Sequence, residues 1–483
     1  MHINRSMKSR VLATLLPLML GLALLFTPGC TRNPEALDPE PQAERQSLPL
    51  RVVVIDTPLL AQSLKTQWLA HDGGEIQIRE MGADDLRTTR RLLADVIIYP
   101  SGMIGELVKA GHLTPLSFPE GDVGWSGEAV LENQRVVEVN WGSDLYAVSF
   151  GSPQPMLAYR RDVFEQLEIQ PPTTWAEYLE TCLQLEAFRS SEQGIPFQQV
   201  TAEPLGPGDA AITLLARAAS YARHRNQYSG LFDFISMEPL ITGPAFQRAL
   251  AELVQCRSFQ PAAAICQTSP EAAGKLIDGS SLMAISWSFR HPLPGSASGD
   301  PSPAAISIVE LPGSTEVHNV NSGVWEERPA GETVHVPLLA AGGRLGSVTE
   351  LAFDRRQATD FLMFMTSSRM AAMVCRPSPF TFPFRKTHAD DPRGWLPDNY
   401  DRIAAASLGE AVKSAGARNN YLFCPRIPAR QQYLDALDGA VQAALAGASP
   451  SVALKQAADR WKEITEQVGA EQQKAAYRAS LGL

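Results

Sequence analysis

Cysteine and positive charge are both scarce in this chain of 483 residues, which has 6 cysteines and 42 Lys+Arg residues against 52 Asp+Glu residues. So few cysteines in this length exclude a scaffold built from disulfides. The formal net charge of -10 argues against a nucleic-acid-binding protein, which normally needs a basic face to neutralise phosphates. It also argues against docking on an anionic membrane by bulk charge. We therefore predict an acidic protein with no nucleic-acid partner.

Apolar runs long enough to cross a membrane are missing after the first thirty residues. Within those thirty, the run from Val11 to Phe26 follows three basic residues, Arg5, Lys8 and Arg10. The run is shorter than the roughly 20 residues of a membrane-spanning helix, and its basic flank is typical of an export signal. We predict a signal peptide over residues 1–29.

The residues that follow the apolar run predict a lipid anchor. Thr27-Pro28-Gly29-Cys30 resembles the lipobox of bacterial lipoproteins, in which the cysteine is lipidated after cleavage. The alternative is an ordinary secretory signal with a cysteine there by chance. Residues 30–49 hold four prolines among polar residues, which favours an extended tether. We expect an exported protein, held at the periplasmic face or cell surface by lipid on Cys30.

The remaining chain of roughly 430 residues is too long for one small domain and predicts two or more. Its hydrophobic fraction of 45% is that of an ordinary globular protein, which excludes a disordered, collagen-like or coiled-coil chain. Cys256 and Cys266 flank a short segment that contains a proline, so a disulfide between them is one prediction. Two buried free thiols are an equally good one.

Strands alternate with helices in the first part of this region. Arg51–Ile55 is a β-branched run typical of a buried strand, and a helix begins after Pro58. Ile76 and Ile78 indicate a second strand, residues 84–93 a helix, and residues 95–99 a third strand. This order predicts βαβ units and a mostly parallel sheet. Ligands bind beyond the carboxyl ends of such strands. The candidate residues there are Asp56, Thr57, Tyr99 and Ser101.

Residues 141–185 carry the most specific pattern. Two alternating strands, Trp-Gly-Ser-Asp-Leu-Tyr-Ala-Val-Ser-Phe and Met-Leu-Ala-Tyr-Arg, precede a short helix from Asp162 and a Pro-Pro stop. Thr174 and Glu177 then predict a capping box that starts the next helix. This order resembles the extracellular solute-binding proteins of bacterial ABC importers, in the family of maltose- and other sugar-binding proteins.

The resemblance extends over nearly all of residues 50–475. The further segments that carry it are 94–115, 281–289, the glycine-rich 342–346, the helical 354–368 and the paired helices of 433–461. It implies an α/β fold of two lobes, each a mostly parallel sheet flanked by helices, joined by three crossings of the chain. The implied lobes are residues 50–150 plus 281–345, and residues 151–280 plus 346–475 with the C-terminal helices.

The resemblance also places the hinge and part of the binding cleft. Gly151, Ser286 and Gly343 are the candidates for the crossings, where a few residues absorb the motion of closure. An ordinary turn is the alternative for each glycine. Residues 294–336, rich in glycine, proline and serine, are either an extra loop over the cleft or a hairpin of the first lobe.

Aromatic residues outside the apolar helix faces are the candidates for contact with a sugar ring, whose C–H face a flat aromatic ring covers. Core packing is the alternative for each, although the resemblance places Trp287 in the cleft. Asp56, Ser101, Asp144 and Arg376 are the candidate polar partners. The aromatic candidates are Trp125, Trp141, Trp287, Phe289 and Trp325.

Motifs of common enzymes are missing from the sequence. It contains no His-Glu-x-x-His, no closely spaced His/Cys set, no phosphate-binding loop and no Gly-x-Ser-x-Gly. We therefore predict no catalytic residue, metal or cofactor. The prediction is a monomeric lipoprotein that captures a small solute, a sugar or oligosaccharide, and delivers it to permease subunits. The alternatives are a secreted glycosidase or lyase, and a ligand-sensing partner of a receptor.

Overall fold

The computed structural model describes residues 48–117, 129–190, 197–262, 268–289, 305–397 and 400–483. The predicted signal peptide, Cys30 and all but the last two residues of the tether lie outside these ranges, as does Trp125. In the described ranges, no helix is both long and apolar enough to cross a membrane.

Fifteen strands and fifteen α-helices are described. The strands are β1 (Leu50–Ile55), β2 (Ile76–Met81), β3 (Val96–Pro100), β4 (Asn140–Trp141), β5 (Asp144–Leu145), β6 (Val148–Ser149), β7 (Met156–Arg160), β8 (Gln199–Ala202), β9 (Ser281–Ser286), β10 (Ile306–Glu310), β11 (Glu316–Asn319), β12 (Val324–Glu327), β13 (Leu338–Leu339), β14 (Arg344–Val348) and β15 (Leu422–Phe423). The helices are α1 (Pro58–Ala70), α2 (Ala83–Thr88), α3 (Ile104–Lys109), α4 (Arg161–Gln166), α5 (Trp175–Arg189), α6 (Ala210–Ala222), α7 (Pro244–Cys256), α8 (Ser269–Ile277), α9 (Arg355–Met365), α10 (Ala371–Cys375), α11 (Lys386–Asp390), α12 (Arg402–Gly416), α13 (Arg430–Leu445), α14 (Pro450–Val468) and α15 (Ala470–Ser480).

The first lobe is built on a five-stranded sheet in the order β2-β1-β3-β14-β6. Strand β1 pairs in parallel with β2 and β3, whereas β14 pairs antiparallel with β3 and β6. The run Val52–Ile55 is buried throughout, as expected of a strand covered on both faces. On α1 the predicted apolar face is also confirmed, because Leu60, Leu64 and Trp68 are buried.

The second lobe is built on a four-stranded sheet in the order β10-β7-β9-β8. Strand β7 pairs antiparallel with β9 and β10, and β8 pairs in parallel with β9. The two-lobed α/β fold is therefore confirmed, but both sheets are mixed rather than mostly parallel. The reason is that β7 and β14 each begin at the lobe junction, where the chain arrives from the other lobe, and so run against their neighbours.

These pairings divide the chain differently from the implied lobe boundaries. Strands β9 and β10 pair with β7, so residues 281–286 and 306–310 lie in the second lobe and not in the first. Helix α10 packs against α1, so residues 355–375 lie in the first lobe. Ser286 is a predicted crossing residue, but β9, which contains it, pairs with β7 and β8 within the second sheet.

Three segments cross between the lobes. Residues 150–155 connect β6 to β7, residues 340–343 lead into β14, and residues 376–385 connect α10 to α11. After the third crossing, α12 packs on β10, α13 on α6, and α14 on α7. The last helix, α15, also contacts α3 and β4 of the first lobe.

Local sequence patterns predict some helix ends correctly and others wrongly. Thr174 and Glu177 form the predicted capping box, and the Ser449 hydroxyl caps α14 by accepting the Val452 N–H. Helix α2, however, ends at Thr88 instead of residue 93. The hydroxyls of Thr88 and Thr89 both donate to the carbonyl of Asp85, and such local bonds compete with helix continuation.

Candidate functional site

The carboxyl ends of strands from both sheets face the lobe junction, among them those of β1, β3, β8 and β9. Strands β7 and β14 begin there, so their antiparallel neighbours β9 and β3 end there, together with β1 and β8, which run parallel to these neighbours. Polar and aromatic residues at these ends are thus brought to one region from both lobes. This is the geometry in which α/β proteins bind ligands.

On the first-lobe side, a buried guanidinium fixes the end of β1. Arg344 Nε donates to Thr57 Oγ1 at 2.6 Å, and Nη2 donates to the carbonyl of Asp56 at 3.3 Å. Burial lowers the pKa of Arg344 to about 10, although the nearby Asp56 opposes this effect. Asp56 itself is exposed, and its carboxylate accepts the Ala83 N–H at 3.2 Å. The predicted residues Asp56 and Thr57 therefore flank a positive charge.

Phe380, which is not among the residues predicted from the sequence, lies against this guanidinium. Its ring centroid is 4.6 Å from Cζ of Arg344, and 47% of the residue is exposed. The ring belongs to the third crossing, so the chain brings it to β1 from more than 300 positions away. The available signal was weak, namely aromatic residues between prolines in Pro377-Ser-Pro-Phe-Thr-Phe-Pro383. An exposed ring at a strand end is available to a ligand.

One carbonyl group of the second crossing accepts hydrogen bonds both from the end of β3 and from the first crossing. The hydroxyls of Ser101 and Ser152 both donate to the carbonyl of Gly342. Ser101 is buried, so the structure uses its hydroxyl to tie the end of β3 to the crossing. Ser149, at the end of β6, accepts the Gly151 N–H at 3.0 Å and donates to Gln134 at 2.9 Å.

Gly151 and Gly343 lie where the three crossings touch. Both have positive φ, +100° and +98°, a conformation that side chains disfavour. A Cβ at Gly151 would lie 2.1 Å from the Phe382 carbonyl oxygen, and one at Gly343 would lie 2.5 Å from Ser152 Cα. The crossings are therefore packed backbone against backbone. The third hinge candidate, Ser286, is buried in the second sheet instead, where its hydroxyl donates to the Ser269 carbonyl.

On the second-lobe side, Trp287 follows the end of β9 and is almost fully buried. The backbone N–H of Trp287 donates to Ser269 Oγ at 2.9 Å, and the backbone N–H of Ser269 donates to the Asp209 carboxylate at 2.6 Å. Burial raises the pKa of Asp209 to about 6, against the effect of the Ser269 N–H. The carboxylate of Asp438 adds to this rise, so the second lobe contributes acidic groups near its strand ends.

A buried acid lies inside the junction. Glu138 has no exposed surface, and burial raises its pKa to about 7. Ser152 of the first crossing, Arg426 and the backbone of Ala340 in the second crossing oppose this rise. The carbonyl of Glu138 accepts Arg426 Nη1 at 2.9 Å. Glu138 therefore lies beside the first two crossings and beside Arg426, which precedes α13.

The remaining aromatic candidates do not gather at the strand ends. Trp141 packs against Gly105 and lies 5.8 Å from the guanidinium of Arg426, and Phe289 is buried in the core of the second lobe. Trp325 is half-buried and packs edge-on against Tyr221 at 5.9 Å. Tyr221 belongs to the far end of α6, one helix length from the end of β8.

The remaining polar candidates are also dispersed. Tyr99 is fully buried, and its hydroxyl bonds Ser347 at 2.8 Å, so it belongs to the core of the first lobe. Asp144 is exposed in the short β4–β5 ladder. Arg376 lies 4.9 Å from the ring of Trp395. Among the predicted binding residues, Asp56, Thr57, Ser101 and Trp287 follow the ends of strands that face the junction.

The segment 294–336 is neither an open loop nor part of the first lobe in its described portion. Residues 294–304 lie outside the described ranges, 306–310 form β10, and β11 and β12 form a hairpin. This hairpin packs on α6 and α7 of the second lobe. Cys256 is buried, whereas Cys266 lies outside the described residues, so their pairing stays a prediction. Over the described residues, no cluster of His, Cys, Asp and Glu could hold a metal ion.

Comparison with known proteins gives one family and several similar structures. Residues 69–400 match the model of the family described as bacterial extracellular solute-binding protein. A search of curated protein sequences finds no match. A solute-binding protein of an ABC transporter from Agrobacterium radiobacter K84, in complex with ribitol, is 18% identical with a TM-score of 0.59, over 87% of this chain and 99% of that one.

Two further solved structures are similar to this chain. A cyclo/maltodextrin-binding protein complexed with maltotetraose is 14% identical, with a TM-score of 0.59 over 88% of this chain and 99% of that one. Maltose-bound MalE3 of T. maritima is 18% identical, with a TM-score of 0.60 over 86% of this chain and 100% of that one. These likenesses establish the fold, and the family consists of binding proteins, not enzymes. The family match covers well over half of the sequence, and the chain therefore belongs to the bacterial extracellular solute-binding proteins.

Proposed function

We propose that this protein captures a sugar or polyol between its two lobes and delivers it to the membrane permease of an ABC importer. One observation carries the proposal. Three crossings pack against one another at Gly151 and Gly343, and the carboxyl ends of β1, β3, β8 and β9 face the junction from both lobes. A cleft that closes about such crossings encloses a solute without any chemical step.

The side chains at the junction support a polyhydroxylated solute. Phe380 offers an exposed ring beside the Arg344 guanidinium, the exposed Asp56 follows β1, and Trp287 lies at the end of β9 on the other lobe. A flat ring covers the C–H face of a sugar, while carboxylates accept hydrogen bonds from its hydroxyls. The similar structures hold ribitol, maltotetraose and maltose, which are all polyhydroxylated.

Delivery follows from differential affinity. A solute that contacts both lobes binds the closed state more tightly than the open one, and so shifts the population toward closure. A permease that binds the closed state better therefore engages the loaded protein. The exported location agrees with the family, and lipid on Cys30 would keep the protein beside its permease. Metabolic labelling with palmitate, lost in Cys30→Ser, tests the anchor.

Replacing Phe380 tests the position of the cleft. Phe380→Ala is expected to weaken solute binding by up to about tenfold, because one ring contact contributes up to about 1.5 kcal/mol. Calorimetric titration with ribitol, maltose and maltotetraose measures the affinity. Since 47% of Phe380 is exposed, little stability should be lost.

Phe353→Ala is the matched control. Phe353 is another exposed phenylalanine of the first lobe, but it follows the far end of β14, away from the junction. Its replacement should leave the affinity unchanged. Phe380 would lie outside the site if wild type and Phe380→Ala bound the solute equally well. The same would follow if Phe380→Ala and Phe353→Ala lost the same affinity.

A further inference from the structure

A cavity lies at the end of α6 that is far from β8. It has a volume of about 490 Å³ and is enclosed by three segments, residues 223–231 after α6, residues 421–426 around β15, and residues 477–481 at the end of α15. This volume is within the range of sites for small molecules. Helix α6 begins after β8 and has 13 residues, so the cavity at its other end is about 20 Å along the helix from that strand end.

Over the described ranges, positively charged side chains line the cavity and acidic ones do not. Arg223, Arg225 and Arg426 line it, and none of its described lining residues is Asp or Glu. Arg426 is 2% exposed. Its two Nη atoms donate only to carbonyl oxygens, among them those of Glu138 at 2.9 Å and Ser480 at 2.6 Å. Its Nε has no hydrogen-bond partner among the described residues.

Arg223, like Arg426, bonds a backbone carbonyl and, among the described residues, no carboxylate. Its Nη1 donates to the carbonyl of Gln227 at 2.6 Å, while its buried Nε finds no partner in the described part of the chain. Burial lowers the pKa of both Arg223 and Arg426, and the Glu138 carboxyl opposes this only for Arg426. Arg225 is exposed and pairs with Glu332 at 3.2 Å. Two largely buried guanidinium groups thus lack a carboxylate bonded to them.

Aromatic residues complete the lining. Tyr228, Tyr421 and Tyr477 line the cavity, and Tyr228 is 68% exposed. Buried charges in proteins are normally paired, and a guanidinium forms its strongest bonds with carboxylate or phosphate groups. We propose that this cavity binds a small organic anion, which presents a carboxylate or phosphate to Arg223 and Arg426.

Titration with matched probes tests this proposal on the purified full-length protein. Inorganic phosphate, citrate and adenosine monophosphate are the anionic probes, and adenosine is the uncharged match to the last. At least one anion is expected to raise the melting temperature and to give a saturable calorimetric titration, whereas adenosine should not bind. Arg223→Gln should weaken that binding about tenfold or more, as expected for a lost charge-assisted hydrogen bond.

Arg257→Gln is the control variant. Arg257 also donates Nη1 to a nearby carbonyl and has a buried Nε without a partner among the described residues, but it does not line this cavity. Its variant should bind the anion as the wild type does. Tyr228→Ala, at an exposed position, should weaken binding without loss of stability. The proposal would be overturned if none of the three anions bound or if adenosine bound as tightly as the monophosphate. Equal losses of affinity in Arg223→Gln and Arg257→Gln would also overturn it.

Discussion

Gly151→Ala is expected to lower the free energy of unfolding by roughly 2–6 kcal/mol, since it combines a positive-φ penalty with a steric clash in a packed interior. The new Cβ would lie 2.1 Å from the Phe382 carbonyl oxygen and 2.5 Å from the Phe382 nitrogen. Both are backbone atoms, so the third crossing must move away from the first. Urea denaturation measures the loss, and solute affinity should fall with it because the junction is displaced.

Gly208→Ala separates the two causes. Gly208 has a similar φ of +92°, but nothing lies within 4 Å of its added Cβ. Its replacement should therefore carry only the conformational cost of about 1–2 kcal/mol. If both variants lost the same stability and kept full solute affinity, the close packing of the crossings would not matter for the function.

Arg217→Met is expected to lower the free energy of unfolding by about 3–5 kcal/mol, because it leaves the Glu203 carboxylate buried without its partner. The two side chains are 1% and 0% exposed, and Arg217 Nη2 lies 2.9 Å from Glu203 Oε2. Glu203 directly follows β8, so the pair also fixes this strand end against α6. Calorimetric or urea-induced unfolding measures the loss.

Two comparisons test this cause. Lys455→Met breaks an exposed pair with Asp459 and should change stability by less than about 1 kcal/mol. Adding Glu203→Leu to Arg217→Met should recover most of the loss, since a buried ion pair can be replaced by apolar groups. An equal loss for the exposed pair, or no recovery in the double variant, would argue against buried charge as the cause.

Local chemistry predicted the elements well. The β-branched run before Asp56 and the capping box of Thr174 both depend on neighbouring residues, so their sequence is sufficient. The lobe that holds β9 was not predictable in the same way. Its pairing with β7 is decided by residues more than a hundred positions away, which no local pattern contains.

The candidate site was predicted in part for the same reason. Asp56 and Thr57 could be placed at the junction because they follow a recognisable strand, and their role in binding stays a prediction. Phe380 was missed, because only the third crossing brings its ring to Arg344. Net charge also hides local charge, since a chain of net charge -10 encloses a cavity lined by three arginines.

Small-angle X-ray scattering of the purified protein, during titration with ribitol, maltose and maltotetraose, tests closure around a solute most directly. We expect that at least one of these solutes binds and that the radius of gyration decreases to a plateau as binding saturates, because the lobes close about the crossings. No binding across the panel, or saturable binding with an unchanged radius of gyration, would contradict capture of a sugar or polyol by lobe closure.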